Sequence, residues 1–195
     1  SSIGKGVAVK KESDIYYIEN EFYRIEVNKK GQIQSFYDKE LNREVFRQEG
    51  FRGNEFILEE DLGCFCYVKP SGKTWPEELN TELYLAEEGL LFSRLICETR
   101  INDILLRKIL TFYSFKKRID FQVTVHLPDG EDKRLKIIFP LSPEEGKIIA
   151  ETPFGFAQRN EGISSMINWV DYTDEGIGLT VFNCGIPSYE VEKGK

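Results

Sequence analysis

An all-β fold, a large antiparallel β-sandwich, is predicted for this chain on three observations. Apolar residues recur with a two-residue period in one segment after another, Gly, Pro, Asn and Asp punctuate those segments at short intervals, and no stretch carries a convincing amphipathic helical stripe. The result is roughly a dozen or more short strands, and twisted sheets of that many strands pack face to face. A length of 195 residues fits one large domain, and 14 Phe and 9 Tyr supply the aromatic content that strands favour.

Residues 1–13 hold Gly4, Gly6, Lys5, Lys10 and Lys11, with little apolar patterning beyond Val7 and Val9, and read as a linker or lead-in strand; the sandwich is expected over residues 14–195. Residues 15–18 form the first good strand. The organising stretch follows at residues 20–45. Phe22, Arg24, Glu26 and Asn28 alternate there with Tyr23, Ile25 and Val27, and the 28–31 turn offers Gly31 for positive φ. Ile33, Ser35 and Tyr37, alternating with Gln34 and Phe36, form the return strand of a hairpin. A polar loop over 48–54 leads to a strand at 56–58. Alternation at 64–68 predicts another strand, and the run Pro70-Ser71-Gly72-Lys73-Thr74-Trp75-Pro76 reads as the turn that closes it.

Two long apolar stretches, 90–96 and 104–115, are joined by Arg100-Ile101-Asn102-Asp103. Leu105, Ile109 and Phe112 would fit a helical stripe, but Thr111, Phe112, Tyr113 and Phe115 favour strand, which is the reading taken. Ile119, Phe121, Val123, Val125 and Leu127 alternate with polar partners, and Pro128-Asp129-Gly130 predicts a hairpin turn into a strand at 135–141. Pro153-Phe154-Gly155 predicts a sharp bend in which Phe154 plugs the core; a loop packed against another domain is the alternative. Two further strands are expected around 166–172 and 178–182.

Composition excludes several functions. A formal charge of -7 argues against nucleic acid or an anionic membrane as partner, and the one basic run, Lys116-Lys117-Arg118, fits a solvated turn. No apolar run approaches the roughly 20 residues of a membrane span. Neither a signal-peptide core nor an Asn-x-Ser/Thr acceptor is present, and the four cysteines lack the density of a disulfide scaffold, so a cytoplasmic location is expected. With His126 the single histidine, an imidazole zinc site cannot be built, and Cys64-x-Cys66 lacks a second ligand pair and reads as packing. No phosphate loop, dinucleotide fingerprint or nucleophile elbow appears. The 33 acidic residues stand in no recognisable catalytic motif.

The 20–45 hairpin, with its Asn-Glu-Phe-Tyr-Arg run, Gly-x-Ile-x-Ser-Phe-Tyr-Asp-Lys-Glu and Arg-Glu-Val, resembles the start of the β-rich region behind the catalytic domain of glycoside hydrolase family 38, the α-mannosidases. Further matches follow in the same order: Arg118-Ile119-Asp120-Phe121, the 135–141 strand, Glu151-Thr152-Pro153-Phe154-Gly155 with Gln158-Arg159, Trp169-Val170-Asp171-Tyr172-Thr173-Asp174, and Gly176-Ile177-Gly178-Leu179 through Asn183, Gly185 and Tyr189. The resemblance implies a galactose-mutarotase-like supersandwich. It also implies a retaining, zinc-dependent parent enzyme whose nucleophile and zinc ligands sit in a preceding catalytic domain. This fragment would then carry no cofactor and no hydrolase activity, and would support that domain while lining part of the cleft for mannosides or other carbohydrate.

The family pattern would continue past Lys195, so a sandwich cut short at its C-terminal end, with self-association or a mobile edge, is expected. An independent carbohydrate-binding sandwich is the alternative; a stand-alone mutarotase, which resembles this fold but uses two histidines, is disfavoured. The stretch 63–70 resembles a Gly-Ala-Tyr-Leu-Phe-x-Pro segment of α-mannosidases whose Tyr reaches the sugar. That places Phe65 or Tyr67, and Trp75 beside them, as the substrate-adjacent residues. One extra residue before Pro70 leaves both Phe65 and Tyr67 open for the place.

Overall fold

The 28–31 turn behaves as its residue types dictate. Asn28 Oδ1 accepts hydrogen bonds from the backbone N–H groups of Lys30 (2.9 Å) and Gln32 (3.1 Å), while Gly31 takes a φ of 71° and donates to the Asn28 carbonyl at 2.8 Å. The computed structural model describes residues 6–63, 67–77, 80–128, 132–143, 145–174, 176–186 and 188–192. Its strands are all antiparallel, no helix occurs among the described residues, and the fold is an all-β sandwich. The chain divides into two compact units, Ser1–Phe139 and Pro140–Lys195.

The first unit runs β1 (Ala8–Glu12), β2 (Ile15–Glu19), β3 (Tyr23–Val27), β4 (Ile33–Asp38), β5 (Arg43–Glu44), β6 (Glu55–Asp61), β7 (Pro70–Pro76), β8 (Glu82–Glu88), β9 (Phe92–Ile101), β10 (Ile104–Tyr113), β11 (Ile119–His126) and β12 (Lys133–Ile138). One layer is the sheet β11-β10-β9-β8. Asn102, at a φ of 53°, turns β9 into β10, and the register then places Leu95, Cys97, Thr99 and Ile101 beside Leu110, Lys108, Leu106 and Ile104 on one buried face. Against it lie the sheets β1-β2-β3-β4-β5 and β12-β6-β7, linked by a bridge between Ile33 and Gly53. Phe56 and Leu58 pack there on Ile101, Ile104 and Leu106, with Trp75, Val123, Val125, Leu135 and Ile137 around them.

The strand alternation in the first hairpin holds on β3, where Tyr23, Ile25 and Val27 are fully buried. On β4 it is interrupted. A bulge at Glu26/Val27 shifts the register, so that Ile33 is buried while Phe36, paired with Ile25, also turns inward against Tyr23 and Phe46 at 5.7 and 5.5 Å between ring centroids. The extra residue is Gln34 on β4 itself, skipped between the pairs Glu26–Ser35 and Val27–Ile33, and nothing in the alternating pattern of β4 marks it.

Two expectations are corrected here, and a third falls mostly outside the described residues. The 70–76 run is not a turn but strand β7, and its two prolines are tolerated because β7 is an edge of its sheet, where missing donors face no neighbour. The strand expected over 64–68 is outside the described residues at 64–66, and Tyr67 and Val68 are exposed in the connection between β6 and β7. Residues 129–131 lie outside the described residues, but the expected hairpin of the strands on either side does not form: β11 pairs with β10, whereas β12 pairs with β6, Leu135 facing Leu58.

In the second unit, β13 (Lys147–Thr152), β14 (Gly155–Arg159), β16 (Trp169–Thr173) and β17 (Gly178–Phe182) form a sheet in the order β14-β13-β16-β17, beside a ribbon of β15 (Gly162–Ser165) and β18 (Ser188–Val191). Ile148, Ala150, Val170, Tyr172 and Tyr189 make its core. Phe154 does not plug that core. It sits at the tip of the β13–β14 hairpin, fully exposed and at a φ of 69°, because a two-residue loop between Thr152 and Gly155 projects both its side chains into solvent.

Candidate functional site

Of the three residues expected beside the substrate, Phe65 lies outside the described residues. Tyr67 is 59% exposed. Its loop is gathered by one side chain: Asp61 Oδ1 accepts from the N–H groups of Lys69 (2.7 Å) and Gly63 (2.9 Å), and Leu62 donates to the Lys69 carbonyl at 2.8 Å. Those two backbone donors, Lys69 first, hold the Asp61 carboxyl below the usual carboxylate range. Trp75 occupies a different environment. It pairs with Leu58, packs half-buried on the core, and carries the ammonium groups of Lys73 and Lys133 4.7 and 5.0 Å from its ring centre. The rings of Tyr67 and Trp75 do not pair among the described residues.

A second constellation lies inside the first unit. Lys108 and Glu77 form an ion pair with side chains only 1% and 0% exposed. Gln32 Nε2 donates to Glu77 Oε2 at 2.8 Å, Lys30 Nζ to the Glu77 carbonyl at 3.0 Å, and the Lys108 ammonium lies 4.7 Å from the centre of the Phe56 ring. Burial holds the Glu77 carboxyl above the ordinary carboxylate range, against the opposing pull of Lys108 and Gln32. Burial likewise pushes the neighbouring Cys97 thiol up to about 12, and its Sγ contacts the Lys30 carbonyl at 3.2 Å. This cluster holds the two layers in register; with both charged groups buried, it offers no acid or base to solvent. The sequence contains its signal, because Lys108 falls in the apolar phase of Ile104, Leu106, Leu110 and Phe112, where a lysine requires a buried partner. The partner, distant in sequence, is not legible.

A third group, missed by the sequence reading, lies on the second unit. Ala150 pairs with Ala157 and Val170, and Val181 with Val170, all on the core side, so the next residue along each strand points outward. That outward row reads Phe156, Glu151, Trp169, Phe182 across four strands. Phe156 and Phe182 are 72% and 71% exposed. Glu151 is held between them by Asn168, whose N–H and Nδ2 donate to its two oxygens at 2.9 and 3.1 Å. In the adjoining row Thr180 Oγ1 donates to Asp171 Oδ1 at 2.5 Å. Phe156 and Phe182 each stand in the phase opposite to the core residues of their strands, a signal visible only once the strand partners are known.

Among the described residues no three His, Cys, Asp or Glu side chains converge as metal ligands, and His126 is exposed on β11.

The family model of the glycosyl hydrolases family 38 C-terminal domain matches residues 18–193, and the chain belongs to that family. The resemblance carried by the ordered motifs is thereby borne out. No curated protein matches the chain.

Proposed function

We propose that this chain is the accessory β-sandwich region of a retaining, zinc-dependent α-mannosidase-type hydrolase, which it supports while lending a wall to the sugar cleft. The observation that carries the reading is family membership over residues 18–193 together with an exposed Tyr67 on a loop braced by Asp61. Zinc and the nucleophilic carboxylate belong to the preceding catalytic domain in this reading, and the residues described here take no part in holding the metal. A phenol ring suits a hexose, with an apolar face to stack and a hydroxyl to exchange hydrogen bonds. Phe65, at the alternative position, could stack but not hydrogen-bond.

Two measurements test this. The chain alone is expected to release no product from an aryl α-mannoside with added zinc; turnover above a heat-killed control overturns the accessory role. In the full-length enzyme, Tyr67→Ala is expected to lower kcat/KM about tenfold or more, roughly 1.4 kcal/mol of transition-state stabilisation. Unchanged kinetics in both Tyr67→Ala and Phe65→Ala, with an intact circular dichroism spectrum, removes the loop from the cleft.

A further inference from the structure

We propose that the outward face of the β14-β13-β16-β17 sheet is a second carbohydrate site, a platform on which Phe156, Trp169 and Phe182 stack against sugar rings while Glu151 accepts hydrogen bonds from their hydroxyls. Cross-strand register pairs Phe156 with Glu151 and Trp169 with Phe182, and the pairing of Ala150 with Val170 brings the two pairs side by side. With neighbouring strands about 4.8 Å apart, Phe156 and Trp169 stand roughly 10 Å from each other with the carboxylate between them. That spacing is on the scale of a disaccharide, so two rings can meet alternate sugars of a short chain.

The side chains are prepared for a ligand in two ways. Phe156 and Phe182 leave most of their surface in water, where a large apolar ring is unfavourably placed. Glu151 is fixed in position by Asn168 at both oxygens, which leaves further lone pairs on the same atoms for hydroxyl donors. Asp171, tied to Thr180, adds a second carboxylate in the next row.

The chemistry selects the occupant. Two carboxylates repel a phosphate backbone or an anionic bilayer. A protein interface is depleted of Glu and Asp at its centre, whereas Glu151 sits in the middle of this row. A neutral polyhydroxylated chain matches both the rings and the acceptors, and glycans are the substrate class of the family to which the chain belongs. The inference rests on that membership and not on the role given to Tyr67.

The test is titration of the 195-residue chain with a manno-oligosaccharide of several residues, and with gluco- and galacto-oligosaccharides, followed by tryptophan fluorescence and amide NMR shifts. Saturable binding is expected for at least one of the three, with shifts centred on β14, β16 and β17. The double variant Phe156→Ala, Phe182→Ala removes exposed rings only, and should weaken that binding about tenfold or more, while Leu90→Ala, which removes an exposed apolar side chain of the first unit, leaves it unchanged. Absence of saturable binding to all three sugars overturns the proposal. So does binding that survives in the double variant, or a sedimenting dimer of the wild type that Phe182→Ala dissolves, because the face would then belong to a second copy.

Discussion

Replacing Lys108 by Met should destabilise the first unit by about 3–5 kcal/mol, because a near-isosteric apolar side chain leaves the Glu77 carboxylate buried without its cation. The size follows from geometry. Both side chains are essentially inaccessible, and among the described residues only Gln32 Nε2 would remain to donate to the carboxylate from a side chain. At about 2–4 °C per kcal/mol for a chain of this length, the expected drop in Tm is about 10 °C. The loss should also depend on pH. The Glu77 carboxyl already lies above its ordinary 4.5 through burial, and Glu55 adds to that rise while Lys108 opposes it; removing Lys108 raises it further. A carboxyl raised in the folded state gives stability that is fully present below its unfolded value and is lost as pH rises through the folded one. Lys108→Met should therefore be least impaired near pH 4 and most impaired near neutrality. The double variant Lys108→Met, Glu77→Leu removes both charges and should recover most of the loss. Urea unfolding followed by near-ultraviolet circular dichroism measures all three. A cost below about 1 kcal/mol for Lys108→Met, or single-variant costs that simply add in the double, would refute the assignment of a coupled buried pair.

Thiol chemistry should separate the two described cysteines: iodoacetamide is expected to label exposed Cys184 in the native chain and to reach Cys97 only on unfolding, as read by peptide mass mapping. Because burial lifts the Cys97 thiol from 9.0 to about 12, the stability it contributes is complete below pH 9 and is lost as pH rises towards 12; equal alkaline sensitivity in Cys97→Ala would contradict this. At the β13–β14 tip, Phe154→Asn should raise stability by up to about 1 kcal/mol, since Asn tolerates the left-handed backbone and the exposed ring packs on nothing within its hairpin turn. A lower unfolding midpoint for Phe154→Asn would show that the ring has a partner.

The sequence by itself determined the strands whose two faces differ. Tyr23, Ile25 and Val27 alternate with Arg24 and Glu26, and Phe121, Val123 and Val125 with Gln122 and Thr124, because a half-buried strand must repeat every two residues. It also determined the 28–31 turn, where Asn28 and Gly31 act locally, and it carried the family in the order of its motifs. Strand partners were another matter. A period of two is the same whether a strand continues its own sheet or crosses to the facing one, so the pattern at 119–138 could not reveal that β12 leaves β11 for β6. Edge position is equally invisible locally, and it alone turned the proline-flanked 70–76 run into a strand. Of the candidate sites, the sequence pointed to Tyr67 through its family motif and placed Lys108 in an apolar phase. The row of Phe156, Glu151, Trp169 and Phe182 exists only where four strands lie in register, and the pairing of Lys108 with Glu77 only where two layers close. Each joins residues separated in the chain through the packing within its own unit, which no local pattern encodes.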